Sequence, residues 1–360
     1  MPHSNVLIFK VLLTFLFFFS SGFARADVGF EHGVNVSHWM AQHAEGKYAS
    51  KDKFDASDAK WIASEGYDHL RIPVDGRILF NTQGQLITEM LQPFSLALSW
   101  AKENELGVIF DMHYLPGNAF LNEAEDNLLW KDPHLMQSAA DFWRQLAEFY
   151  KGEGGHLRFE LLNEAVAPKN EDVNRMNRAL VSAIREVDTE RVLYVSSNLW
   201  GQFSTAEDVH VFEDDQNVHY TFHYYHPMLF THQKASWTDF GRLYDKSVSF
   251  PDRLGDLQEY FPEGHYALTA EHTEISEEKV IEDFQALSAW ARKNDVKVLL
   301  SEFGVINHAD DESKARWASL VRRLCKEHGF GWSVWDYKSD FAVRGVDGEG
   351  TATHHALTKD

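Results

Sequence analysis

Two glutamates stand directly after apolar runs: one closes Leu161-Leu162-Asn163-Glu164, the other Leu299-Leu300-Ser301-Glu302. A carboxylate at the end of an apolar strand costs solvation unless it is paired or used chemically. Two such groups facing each other suit cleavage of a glycosidic bond. One carboxyl is protonated and donates to the leaving oxygen, while the other is ionised and attacks the anomeric carbon. A separation of ~5–5.5 Å goes with retention and ~6.5–9.5 Å with inversion. Arg71 is a candidate to keep one glutamate ionised, and the charge of that glutamate would raise the pKa of the other. The bland alternative is a structural ion-pair network of Glu164, Glu302 and Arg71.

The rival chemistry is metal-dependent hydrolysis. It draws on His-x-His or His-Glu-x-x-His spacings, and neither occurs among the 19 histidines. His223 and His226 are three apart, which on a strand sends them to opposite faces. The single cysteine, Cys325, excludes a disulfide scaffold and Cys-based metal sites. On the expected last barrel helix it reads as a small buried hydrophobe. Phosphate-loop and Gly-x-Ser-x-Gly patterns are absent. The expectation is no metal and no cofactor.

The elements that must position these residues are short apolar runs alternating with longer amphipathic stretches. The runs are Gly33–Ser37, His69–Val74, Gly107–His113, Leu157–Leu162, Val192–Ser197, Val218–Tyr224, Val296–Ser301 and Gly331–Trp335. They read as strands buried on both faces. Helical patterns run over Asp55–Glu65, Met90–Glu105, Pro133–Lys151, Glu171–Val187, Ser276–Asn294 and Asp310–His328, with Pro133 and Ser276 placed as helix starters. The unit after the fifth strand, near Asn198–Gln216, is only weakly helical. Eight strands in βα alternation predict an α/β fold, a (β/α)8 barrel forming one catalytic domain over 27–360. An open doubly wound sheet is second, since Gly33-Val34-Asn35 lacks the glycine fingerprint of that fold. The excursion Tyr225–Thr273 breaks the rhythm. Its aromatics (Trp237, Phe240, Tyr244, Phe250, Tyr260, Phe261 and Tyr266) predict a small packed core, with one or two free to wall a cleft.

Barrel active sites lie at the carboxyl ends of the strands. Those ends present Asn35 and His38, Arg71, Asp111 and His113, Asn163 and Glu164, Asn198 and Trp200, His223 and Tyr225, Glu302, and Trp335 and Asp336. Trp39, Trp200 and Trp237 are either sugar-stacking platforms or plain packing. Asn35-Val36-Ser37 is a formal glycosylation sequon, discounted because it falls on a barrel strand.

Composition narrows the rest. Of 360 residues, 44% are apolar and 25% charged, which excludes wholesale disorder. A net charge of −21 opposes phosphate backbones, so no nucleic-acid partner is expected. Lys10, the apolar run Val11–Phe19 and Ala24-Arg25-Ala26 read as a secretory leader over residues 1–26, cleaved near Ala26. The run is too short to span a bilayer, and no cysteine follows it for lipidation. The expected product is an exported monomer, periplasmic or extracellular, without a stable membrane anchor.

Seven motifs at strand ends, in order, carry a resemblance. They are Gly33-Val34-Asn35 with Ser37-His38-Trp39, Arg71-Ile72-Pro73, Asp111-Met112-His113, Leu162-Asn163-Glu164, the block Thr221–Gln233, Ser301-Glu302-Phe303-Gly304 and Trp332-Ser333-Val334-Trp335. Together the chain resembles glycoside hydrolase family 5, the cellulase family of the clan A barrels, over almost its whole length beyond the leader. The resemblance implies a retaining endo-acting hydrolase of a polysaccharide or oligosaccharide. It implies Glu164 as acid/base after Asn163, and Glu302 as nucleophile. Arg71, His113, Asn163, His223, Tyr225 and Trp335 fall on supporting positions, with Asn35, Trp39 and Trp200 beside them. Asn163 would hydrogen-bond the sugar 2-hydroxyl, Tyr225 would hold Glu302, and Trp335 would floor the sugar whose bond is cleaved. Tyr114 stands where many members carry a second histidine, a departure that bears on substrate contacts. Cellulose or another β-1,4-glucan is the expected substrate. Mannan, glucomannan, xyloglucan or mixed-linkage glucan, transglycosylation, and a non-catalytic glycan-binding barrel are the alternatives.

Overall fold

The computed structural model describes residues 29–118, 127–255, 257–261 and 273–358. The leader predicted over residues 1–26 and Tyr266 lie outside the described residues. Eight parallel strands close into a barrel in sequence order: β1 His32–Asn35, β2 His69–Asp75, β3 Gly107–Tyr114, β4 Leu157–Glu160, β5 Leu193–Ser196, β6 Val218–Tyr224, β7 Val298–Phe303 and β8 Gly331–Val334. Closure is made by β8 pairing with β1, Gly33 opposite Ser333. All eight predicted runs became strands, within two residues at each end.

The six predicted helices are present as Ala56–Ser64, Gln92–Glu103, Pro133–Phe149, Asn170–Arg185, Glu277–Asn294 and Asp311–His328. Their starts follow from local chemistry. Asp55 and Asp58 form a reciprocal cap, Pro133 occupies the first turn, and the Ser276 and Asp310 side chains accept from backbone amides of Lys279 and Ser313. Gly329 ends the last of these helices with φ +72, a conformation natural to glycine. After β5 only two short 3₁₀ turns appear, Leu199–Gly201 and Phe203–Asp208, as the weak pattern there implied.

Apolar burial lies between the strands and the helices. Phe110, Trp143 and Phe159 form one aromatic knot there, and Tyr220, Phe222 and Trp290 another. Cys325 is buried on the Asp311–His328 helix, as expected. The barrel's own interior is polar near its carboxyl end, because Arg71, Glu160, Thr221 and Ser301 point into it from four strands. Burying such groups is tolerable only with full pairing. Asn35 takes part in that pairing: its Nδ2 lies within 2.9–3.2 Å of the carbonyls of Ser301, Ser333 and Val334, which rules it out as an accessible glycosylation site.

The excursion after β6 packs around Phe240, Phe250 and Phe261, all buried, with Phe230 against Phe250 and Tyr244 against Tyr260. Trp237 is the exception at 49% exposed. No helix among the described residues is long and apolar enough to cross a membrane.

Candidate active site

Arg71 is fully buried at the centre of the carboxyl end and is the cation that organises it. Its Nε and one terminal nitrogen grip Glu160 at 2.7 and 2.9 Å, a bidentate pair. The other terminal nitrogen donates to Glu302 Oε1 at 2.7 Å and to Asn35 Oδ1 at 2.8 Å. Asp111 Oδ2 lies 3.1 Å away and Asn163 Oδ1 accepts at 2.8 Å. One guanidinium thus ties β1, β2, β3, β4 and β7 together.

Glu302 receives a second anchor. The Tyr225 hydroxyl donates to its Oε2 at 2.9 Å, so both carboxylate oxygens are held by donors. Gly304 permits this end of β7 to approach β8: a Cβ there would lie 2.2 Å from the Trp335 carbonyl oxygen. Glu164 sits across the mouth with φ +43, a sparsely populated conformation for a side-chain-bearing residue. His223 Nδ1 bridges the two glutamates, 2.9 Å from Glu164 Oε1 and 3.6 Å from Glu302 Oε2. An oxygen of Glu164, an oxygen of Glu302 and a nitrogen of His223 all lie within 4.8 Å of one another. A divalent cation fits such a triad geometrically, yet Glu302 already has Arg71 and Tyr225 as its donors.

Burial raises the pKa of both glutamates, but not to equal effect. Glu164 is pushed up to about 7 by desolvation, with His113 and Arg71 opposing. Glu302 is also raised by desolvation, while His223 and Arg71 pull it back. The guanidinium at 2.7 Å and the Tyr225 hydroxyl make Glu302 the member that ionises first. Burial lowers His113 and His223 to about 4, so both are neutral near pH 7. Burial thus favours the neutral form of Glu164, while Arg71 and Tyr225 favour the ionised form of Glu302.

The remaining sequence candidates divide cleanly. His113 packs flat against Trp335, ring centres 5.8 Å apart and 8° from parallel, with its Nδ1 held by Asp111 at 2.8 Å. Asn163 is buried beside Glu164, and its Nδ2 has no partner among the described residues. Trp200 is half-buried at the end of β5 with φ +62. Asn35 is wholly buried, and its side chain is taken up by Arg71 and the strand ends. Trp39 is a correction: it is 2% exposed and packs edge-on against Phe54 at 5.2 Å, so it belongs to the core and offers no stacking face. Its place immediately after β1 suggested the mouth; the positive φ of His38 turns the chain and sends Trp39 inward. Tyr114 carries the Arg77 guanidinium over its ring at 4.2 Å.

Sequence reasoning missed Glu160. It lies in a run read as near-continuously apolar, and one acid was absorbed into that pattern. The signal was available: Glu160 and Arg71 are charges of opposite sign inside runs that are mostly apolar, and buried charges need partners of opposite sign.

A closed parallel barrel with a buried and a half-buried glutamate bridged at its carboxyl end has the build of a barrel glycoside hydrolase. Residues 31–341 match the model of the cellulase family. The chain belongs to that family, glycosyl hydrolase family 5. Endoglucanase C of Acetivibrio thermocellus is 32% identical over 330 residues, covering 89% of this chain and 95% of that protein. Cellodextrinase A of Ruminococcus flavefaciens is 24% identical, covering 84% and 83%. Among solved structures, Thermotoga maritima Cel5A in complex with mannotriose superposes with a TM-score of 0.75 at 22% identity, over 92% of this chain and 98% of that one.

Proposed function

We propose that this chain is an endo-β-1,4-glucanase that hydrolyses cellulose or a related β-glucan by double displacement with retention. The observation that carries the mechanism is the short approach of the two glutamates, with oxygens within 4.8 Å of each other. An approach that close goes with direct attack by a carboxylate, the geometry of retention. Glu302 is the nucleophile, kept ionised by Arg71 and aimed by Tyr225. Glu164 is the acid/base: protonated in the resting site, it donates to the leaving oxygen, then takes a proton from the water that releases the glycosyl-enzyme. The unpartnered Nδ2 of Asn163 supplies a donor to the 2-hydroxyl of the sugar under attack, a bond that strengthens as charge develops at the anomeric carbon. Trp335 is the floor of that sugar, and Trp200 and Trp237 offer stacking faces further along the chain. Two relatives named endoglucanase C and cellodextrinase A support a β-glucan as substrate. Residues 1–26 are proposed to direct export before the catalytic domain, 27–360, acts as a monomer.

The test is reducing-end release from carboxymethyl cellulose, mixed-linkage β-glucan, glucomannan, mannan and xylan, with Glu302→Gln and Glu164→Gln as controls. Both variants are expected to lose several orders of magnitude in turnover while keeping the fold. Near-normal activity in either one refutes the assignment. Retention is read from the anomer released first, by NMR. No step uses a metal, so EDTA is expected to leave the rate unchanged; loss with EDTA and recovery on adding a cation would refute that part.

A further inference from the structure

His38 has a place in the site that the mechanism above leaves unused. It follows β1 directly, with φ +54, a conformation costly for a residue with a side chain. Its ring lies 6.5 Å from the Trp335 ring, tilted by 58°, and its side chain is one-third exposed. Nδ1 points inward, 2.9 Å from Ser37 Oγ, and Ser37 in turn donates to the fully buried Asp336 Oδ2. Asp336 is itself fixed by the backbone amide of Ser339 at 3.0 Å.

This short chain sets the tautomer. Ser37 has one hydroxyl hydrogen, and Asp336 takes it. Ser37 Oγ must then accept from His38, which puts the imidazole hydrogen on Nδ1. Nε2 is then the ring nitrogen without a hydrogen, an acceptor on a side chain that is one-third exposed and 6.5 Å, centre to centre, from the indole. Burial, with Lys53 adding to it, lowers His38 to about 4, so the ring is neutral near pH 7. Burial raises Asp336 to about 6, so it is largely ionised there. A fixed acceptor at the rim of an aromatic floor matches a sugar, whose ring packs on the indole while its hydroxyls donate sideways.

We propose that His38 is a sugar-binding residue whose Nε2 accepts a hydrogen bond from a hydroxyl of the ring seated on Trp335, with Ser37 and Asp336 as its positioning residues. The proposal rests on the reading of Trp335 as a sugar floor. It adds a determinant that selects by hydroxyl position, since only a hydroxyl at that edge satisfies the acceptor.

The experiment compares His38→Ala and His38→Gln at pH 7. Turnover is followed on an aryl β-cellobioside, and cellotetraose binding is measured by calorimetry in the Glu302→Gln background. A neutral hydrogen bond is worth ~1 kcal/mol, or roughly 5- to 10-fold in affinity. His38→Ala is expected to raise KM and Kd by that factor with kcat within about twofold. His38→Gln, whose carbonyl oxygen reaches near the place of Nε2, is expected to recover most of the loss, with Tm unchanged in both. A Kd for His38→Ala within twofold of the parent overturns the proposal, as does a Gln variant as weak as Ala. If Glu302→Gln abolishes turnover and binds cellotetraose normally with or without His38, only the His38 proposal falls. If Glu302→Gln stays active, the parent mechanism falls first.

Discussion

Replacing Tyr225 with Phe removes one oxygen from the site and isolates what holds Glu302, the proposed nucleophile. The hydroxyl donates to Glu302 Oε2 at 2.9 Å, whereas His223 Nδ1 stands 3.6 Å from that oxygen, beyond hydrogen-bond reach. The ring keeps its contacts with His232 at 4.9 Å and Phe341 at 6.0 Å, so the variant is expected to fold normally. A hydrogen bond to a buried charged acceptor contributes ~1.5–3 kcal/mol, and it favours ionised Glu302 over its protonated form. Losing it raises the pKa of Glu302. The sign follows: attack needs the carboxylate, so the cost falls on the acid side of the pH profile. There kcat/KM should drop roughly 10- to 150-fold, the fold-change equivalent of that energy. Toward neutral pH the gap should narrow, because Arg71 at 2.7 Å still keeps Glu302 ionised. The assay is kcat/KM on an aryl β-cellobioside across the acid limb, with Tm as the folding control. A uniform loss at every pH, with the acid limb unmoved, would refute the view that Tyr225 acts through the ionisation of Glu302.

Three further outcomes follow from the same geometry. Glu164 is pushed up to about 7 and must be protonated to act, so kcat/KM should fall as pH rises through about 7; a profile flat to pH 9, or an alkaline limb that survives in Glu164→Gln with an activated leaving group, contradicts this. Trp39→Ala should cost ~3–5 kcal/mol in urea unfolding and leave KM of the folded fraction unchanged, whereas a KM effect without a stability effect would restore Trp39 as a platform. Glu160→Gln breaks the bidentate partner of a buried guanidinium and should destabilise by ~3–5 kcal/mol. A loss under 1 kcal/mol would mean that Asp111 and Glu302 suffice to neutralise Arg71.

The barrel was readable because its strands are buried on both faces, which leaves continuous apolar runs that few other folds repeat eight times. The mouth was readable from Glu164 and Glu302, where polarity begins abruptly after such runs. Three things escaped. Glu160 was hidden by the run that contains it. The direction of Trp39 depends on the left-handed turn at His38, which no hydropathy pattern encodes. The partners of Arg71 come from four other strands, and their convergence is a property of closure, visible only once β8 meets β1.

Counting charges at the mouth has a consequence for what the cleft can receive. Arg71 is surrounded by Asp111, Glu160 and Glu302, with Glu164 close by and both neighbouring histidines neutral near pH 7. The catalytic end of the barrel is thus an electron-rich basin. Among the described residues, the cation in contact with these acids is Arg71, and its donors are already taken up by them. A sugar bearing a carboxylate or sulfate near the scissile bond would meet repulsion from Glu302, whose own cation, Arg71, is already paired. The basin acts as a filter for uncharged glycans. On a carboxymethylated polymer it would direct cleavage to the unmodified stretches, so that the spacing of substituents, more than chain length, would set the sizes of the fragments.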